Sequence, residues 1–158
     1  MKIERTLITN QASVTLKHEK QGQYEYYKHL LVPRTGNQCT VAIMEIPPLK
    51  ASYPYHYHIA VTEVFYIISG DGVIITPDGE FQASAGDVCV FPPGRAGAHK
   101  ILNPSPSETL RYIDFDTTAA ADVAFYPDSQ KIGLILEGKA SKDCFKEASA
   151  VDYYEGEE

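Results

Sequence analysis

The sequence predicts an all-β fold, a sandwich or barrel of short strands, and three observations carry that prediction. Short runs rich in β-branched and aromatic residues recur roughly every ten residues. Glycine, proline and aspartate break them at the spacing of tight turns. Helical periodicity is scarce. The runs fall at residues 13–17, 26–32, 39–46, 63–69, 72–76, 80–83, 87–91, 99–103 and 110–115. Gly70-Asp71-Gly72 and Pro77-Asp78-Gly79 supply the φ > 0 tolerance and the preset proline φ that hairpin turns need, so Asp71, Asp78 and Asp87 read as turn residues. Beyond Thr117 the texture changes. Residues 117–124, TTAAADVA, suggest one or two helical turns, FYPDSQKIGLILEG a further strand pair, and VDYYEGEE a solvated acidic end.

Composition bounds the function. With 158 residues, 44% hydrophobic and 22% charged, the chain has the make-up of one globular domain, without an internal repeat or a dividing linker. A formal charge of −7 is the wrong sign for attraction to phosphate backbones or anionic lipid, which argues against nucleic-acid partners. The start, MKIERTLITN, has no apolar run behind its charges, and no apolar run approaches the ~18 residues of a span, so the expectation is a cytoplasmic protein without a membrane partner. Cys39, Cys89 and Cys144 are scattered and odd in number, which suits neither a disulfide framework nor a CxxC metal site; they read as small buried hydrophobes in a reducing compartment.

The chemistry concentrates in YPYHYHIAVTEVFYIISGDG, residues 53–72. On a strand His56 and His58 face the same way, about 6.6 Å apart along the backbone, near enough to converge on one ion. Glu63 shares a face with Phe65 and Ile67, which points a carboxylate inward and calls for a cation or strong donors beside it. Downstream, AGDVCVFPPGRAGAHKILNPS brings a third imidazole, His99, with Asn103 four residues on. Together these residues could form a metal site of three nitrogens and one oxygen. His18 and His29 lack partner spacing. Phe65, Ile67, Val88 and Val90 read as barrel filling, Asn103 as a turn or supporting residue. Tyr53, Tyr55 and Tyr57 read as the opposite, outward face.

The spacing His56-x-His58-x4-Glu63-x6-Gly70 resembles the first motif of the cupin superfamily, and Gly86-x5-Pro92-x-Gly94 followed by His99-x3-Asn103 resembles the second. Leu49-Lys50-Ala51 stand where the family has a glycine, and the loop from Gly94 to His99 is two residues longer than the usual pattern. The segment order PPLKASYPYHYH, TEVFYIISGDG, FYPDSQKIG and VDYYEGEE is similar to one group of small single-domain bacterial cupins, some of which carry the name sugar-phosphate isomerase. The resemblance implies a double-stranded β-helix spanning 1–158 as a single cupin domain, with its barrel core at about 26–117 and a C-terminal extension at about 118–158. It also implies metal ligation by His56, His58, Glu63 and His99, and a homodimer, for which the tyrosine face offers a self-complementary surface.

Such a ligand set leaves coordination positions open, as a catalytic metal requires, and suits Fe, Mn, Ni, Co or Zn without choosing among them. The expected function is a metal-dependent enzyme acting on a small oxygenated metabolite, by isomerisation, lyase chemistry or dioxygenation. The alternatives are a non-catalytic metal- and ligand-binding module, or histidines that merely line a polar interior. Arg95, just before His99, is the candidate for binding an anionic substrate, because a planar guanidinium suits carboxylate or phosphate. No separate general base is assigned; Tyr66, Tyr112 and Glu63 are the candidates.

Overall fold

The computed structural model describes residues 2–137 and 143–157. Among the described residues thirteen strands run in chain order: β1 Leu16–Gln21, β2 Tyr24–Val32, β3 Cys39–Ile46, β4 Tyr57–His58, β5 Glu63–Ser69, β6 Gly72–Thr76, β7 Gly79–Ala83, β8 Val88–Phe91, β9 Lys100–Leu102, β10 Leu110–Thr117, β11 Ala121–Tyr126, β12 Lys131–Leu136 and β13 Asp143–Lys146. The helical pieces among the described residues are short 3-10 turns, so the all-β expectation holds.

A six-stranded sheet has the order β1-β2-β3-β10-β5-β8, a three-stranded sheet the order β7-β6-β9, and a four-stranded sheet the order β13-β12-β11-β4. The neighbours in these sheets pair antiparallel. Met44, Phe65, Ile67, Leu110 and Tyr112 of the first sheet share one core with Ile74, Ala83 and Ile101 of the second. The two sheets therefore close on each other as the double-stranded β-helix of a cupin fold.

Strand alternation explains the filling. Along β10, Leu110, Tyr112, Asp114 and Asp116 point inward while the residues between them are part-exposed. The antiparallel register sets Asp116 opposite Glu63 and Asp114 opposite Phe65 on β5. One end of the barrel is thus filled by apolar side chains and the other by carboxylates. Lys28 of β2 sits opposite Met44 of β3 and so joins the inward face.

Four expectations are corrected. Residues 117–124 are not helical: β11 takes Ala121–Tyr126 and is held between β12 and β4, because Asp122, Ala124 and Tyr126 alternate as buried positions and tertiary pairing outweighs alanine's helical propensity. Val88 and Val90 are 61% and 58% exposed; on β8, an edge strand, the inward positions are Cys89 and Phe91, the latter opposite Glu63. Tyr53 does not share the outward face of Tyr57; it packs edge-on against Tyr26 and His56 and takes a hydrogen bond from Lys28 Nζ at 3.1 Å. The cysteines are free thiols, but none is fully buried, and Cys144 lies exposed on β13.

No helix among the described residues is long and apolar enough to cross a membrane.

Candidate metal centre

β4 is only two residues long because it is pinned from both sides. Pro54 precedes it and has no N–H to extend a ladder. His56 and His99 exchange backbone hydrogen bonds at 3.0 and 2.8 Å, and Tyr57 and His58 pair with Phe125 and Ala124 of β11. Alternation then turns His56 and His58 inward and Tyr57 outward, where its ring stacks on Phe125 at 5.0 Å. The loop before His99 folds as a 3-10 turn, Arg95–Gly97, and Gly94 N–H donates to His58 O at 2.7 Å.

Each imidazole is oriented through Nδ1. His56 Nδ1 lies 2.9 Å from Pro54 O, His99 Nδ1 3.0 Å from Gly97 O, and His58 Nδ1 2.5 Å from Asp122 Oδ2. Carbonyl and carboxylate oxygens only accept, so Nδ1 carries the proton and Nε2 presents a lone pair. The three Nε2 atoms converge on Glu63 Oε2, at 3.7 Å from His56, 3.8 Å from His58 and 3.3 Å from His99.

All four side chains are buried, and Glu63 Oε2 and His99 Nε2 have no hydrogen-bond partner among the described residues. Buried acceptors aimed at one another are costly unless something positive lies between them. A divalent cation is such a group, and a set of three nitrogens and one oxygen suits a transition metal. His56, His58 and Glu63 each place a ligating atom within 4.8 Å of the others. His99 approaches the group through Glu63. Burial raises the Glu63 pKa, and positive charge placed among the three imidazoles would outweigh it and hold the carboxyl well below the ordinary glutamate range.

A second cluster adjoins the first. Asp114 and Asp116 bring carboxylate oxygens within 4.8 Å of a Glu63 oxygen and of each other. Lys28 Nζ lies 3.3 Å from Asp114 Oδ2, and Arg34 Nη2 lies 3.2 Å from Asp116 Oδ2. Burial, with Asp114 and Glu63 close by, pushes the Asp116 carboxyl up to about 9. His56, His58 and Glu63 of the first cluster and Asp114 and Asp116 of the second line one cavity of about 200 Å³, together with Tyr53, Tyr126 and Ile135.

Among the other candidates, Arg95 is exposed and outside the lining of this cavity. Tyr66 faces solvent, and Tyr112 is fully buried in the apolar core with its hydroxyl 3.1 Å from Ser52 Oγ; neither lines the cavity. Asn103 is a structural turn residue, donating to Ile46 O and Glu108 O and accepting from Ser105 N–H. His18 pairs with Glu25 and His29 with Glu45, away from the centre.

Sequence reasoning missed Asp122, Lys28, Arg34, Asp114 and Asp116. Asp122 could have been found from the alternation Asp122, Ala124, Tyr126, and the aspartate pair from Leu110, Tyr112, Asp114, Asp116.

Fold and site together define a cupin-type barrel with a candidate metal centre, and comparison with known proteins agrees on the fold. Residues 42–116 match the family model described as the Cupin domain. A structure from Acidithiobacillus ferrooxidans, provisionally named a sugar phosphate isomerase, is 23% identical with TM-score 0.75, over 92% of this chain and 95% of that one. A cupin-superfamily sugar phosphate isomerase from Silicibacter pomeroyi is 17% identical with TM-score 0.77, over 91% and 95%. A polyketide cyclase from Streptomyces resistomycificus is 16% identical with TM-score 0.61, over 73% and 81%. The curated proteins contain no match.

Proposed function

We propose that the protein is a cytoplasmic metal-dependent cupin enzyme acting on a small oxygenated metabolite, with isomerisation of an α-hydroxycarbonyl compound as its reaction. The observation that carries this reading is the convergence of three Nδ1-anchored imidazoles on a buried carboxylate oxygen that has no hydrogen-bond partner. His56, His58, His99 and Glu63 would hold the ion. When bound, the ion would supply Lewis acidity to a substrate oxygen.

The chain's own residues do the rest. Asp122, Pro54 O and Gly97 O fix the ring tautomers. Tyr53, Tyr126 and Ile135 line the cavity beside the centre. The names of two of the matching structures point to the same reaction class. Arg95, exposed near the loop that delivers His99, would meet an anionic substituent outside the cavity.

The test incubates the metal-loaded protein with a panel of aldoses, ketoses and their phosphates in D2O, followed by NMR. Deuterium incorporation beside the carbonyl, abolished by chelation and by His56→Ala, is expected. A compound that raises the melting temperature with metal present yet stays chemically intact over long incubation would instead establish a non-catalytic binding module.

A further inference from the structure

Beside the imidazole cluster, the cavity wall is built from two ion pairs that leave specific atoms unused. Asp114 and Asp116 side chains are 3% and 10% exposed, so this wall is interior. Lys28 and Arg34 each occupy only the Oδ2 atom of their carboxylate. Asp114 Oδ1, Asp116 Oδ1 and Arg34 Nη1 are buried without a hydrogen-bond partner among the described residues. A well-packed interior does not leave two acceptors and one donor unmade without cause, since each costs about 1–3 kcal/mol.

The chemistry of those atoms selects the ligand. A phosphate or carboxylate brings acceptors only; it could use Arg34 Nη1 but would face Asp114 and Asp116, and both cations here are already paired. A second metal ion would meet the opposite objection, because Lys28 and Arg34 stand where its remaining ligands would go. A hydroxyl both donates and accepts, and adjacent hydroxyls on one carbon chain can take a bond from the guanidinium while giving bonds to the carboxylates. A cavity of about 200 Å³ holds roughly seven water-sized groups at ~30 Å³ each, the scale of a short polyol.

We propose that Arg34, Asp114 and Asp116 form a recognition wall for the uncharged, hydroxyl-bearing end of the substrate, with Lys28 positioning Asp114. The assignment rests on the function proposed above in that it directs the other end of the molecule toward His56 and His58. Any phosphate on a sugar substrate would then project toward the mouth and away from this wall.

Erythritol is the probe, titrated by ligand-observed NMR against the full-length protein, Arg34→Gln and Asp116→Ala, with oxalate and inorganic phosphate as competing probes and metal content measured on each sample. Arg34 is part-exposed beside a loop, so its variant keeps the test alive if Asp116→Ala fails to fold. The expected result is erythritol binding by the wild type, weakened at least about tenfold in each folded variant with metal content unchanged. Erythritol affinity equal in wild type and Arg34→Gln, no erythritol binding at all, or tighter binding of oxalate or phosphate lost in Arg34→Gln would overturn the assignment. Failure of the metal reading would show separately, as absence of metal from every sample.

Discussion

Asp122→Ala is expected to weaken binding of a divalent ion by about 10–100-fold, although Asp122 is not itself a proposed ligand. Its carboxylate does two jobs at once: Oδ2 holds His58 Nδ1 at 2.5 Å, and Oδ1 accepts the Ala60 backbone N–H at 3.0 Å. Burial raises the Asp122 pKa, but the hydrogen bond and charge of His58, the Ala60 N–H and the charge of Arg34 together outweigh it and keep the carboxyl below the ordinary aspartate range, so it is an anion at neutral pH. Without it His58 loses both the group that selects its tautomer and the negative charge that makes Nε2 a stronger donor. Asp122→Asn should lie between alanine and wild type, because one amide oxygen can still accept from one of the two donors. Competition titration of Co(II) or Zn(II) against a chromogenic chelator reads all three proteins. Equal affinities in wild type and Asp122→Ala would show that His58 is oriented by something else.

Gly97→Ala is expected to destabilise the fold by about 3 kcal/mol or more. A Cβ at Gly97 would stand 1.9 Å from Pro92 O and 3.0 Å from Pro92 C, and backbone atoms on both sides cannot give way as a long side chain could. Close approach is the constraint here. The loop folds back so tightly because Gly97 N–H donates to Gly94 O, and Gly97 O in turn accepts from His99 Nδ1. Displacing Gly97 therefore moves the anchor of a proposed ligand as well as the packing under it. Urea unfolding of Gly97→Ala beside the exposed-site control Ala96→Ser measures the effect. A loss below about 0.5 kcal/mol would mean that the loop accommodates a methyl group and that its length alone shapes it.

Much of the centre is legible in the sequence because strand geometry has a fixed period. His56 and His58 two apart, and Glu63 in phase with Phe65 and Ile67, could only share the inner face once each segment was extended. Depth along a strand is a different matter. Alternation marks Leu110, Tyr112, Asp114 and Asp116 as one face, but it does not say that the face passes from core to cavity after Tyr112; that depends on the register of β10 against β5. The same limit applies to Val88 and Val90. Their β-branched side chains suit an interior, yet a strand of alternating apolar residues has two candidate faces, and only the pairing of Phe91 with Glu63 selects one. Asp122 was hidden for a third reason: alanine-rich 117–124 has helical propensity in isolation, and it is the pairing with β12 across a short turn and with β4, far away in the chain, that extends it.

The central claim is that an ion resolves the convergence of His56, His58 and His99 on Glu63, and elemental analysis tests it most directly. Untagged, freshly purified wild type and His56→Ala are measured together, as moles of Fe, Mn, Ni, Co and Zn per chain, before and after reconstitution. Near-stoichiometric occupancy by one transition metal in the wild type, lost in His56→Ala, is the predicted result. Wild-type protein that holds none of these metals even after reconstitution, or a variant that holds as much as the wild type, would contradict it.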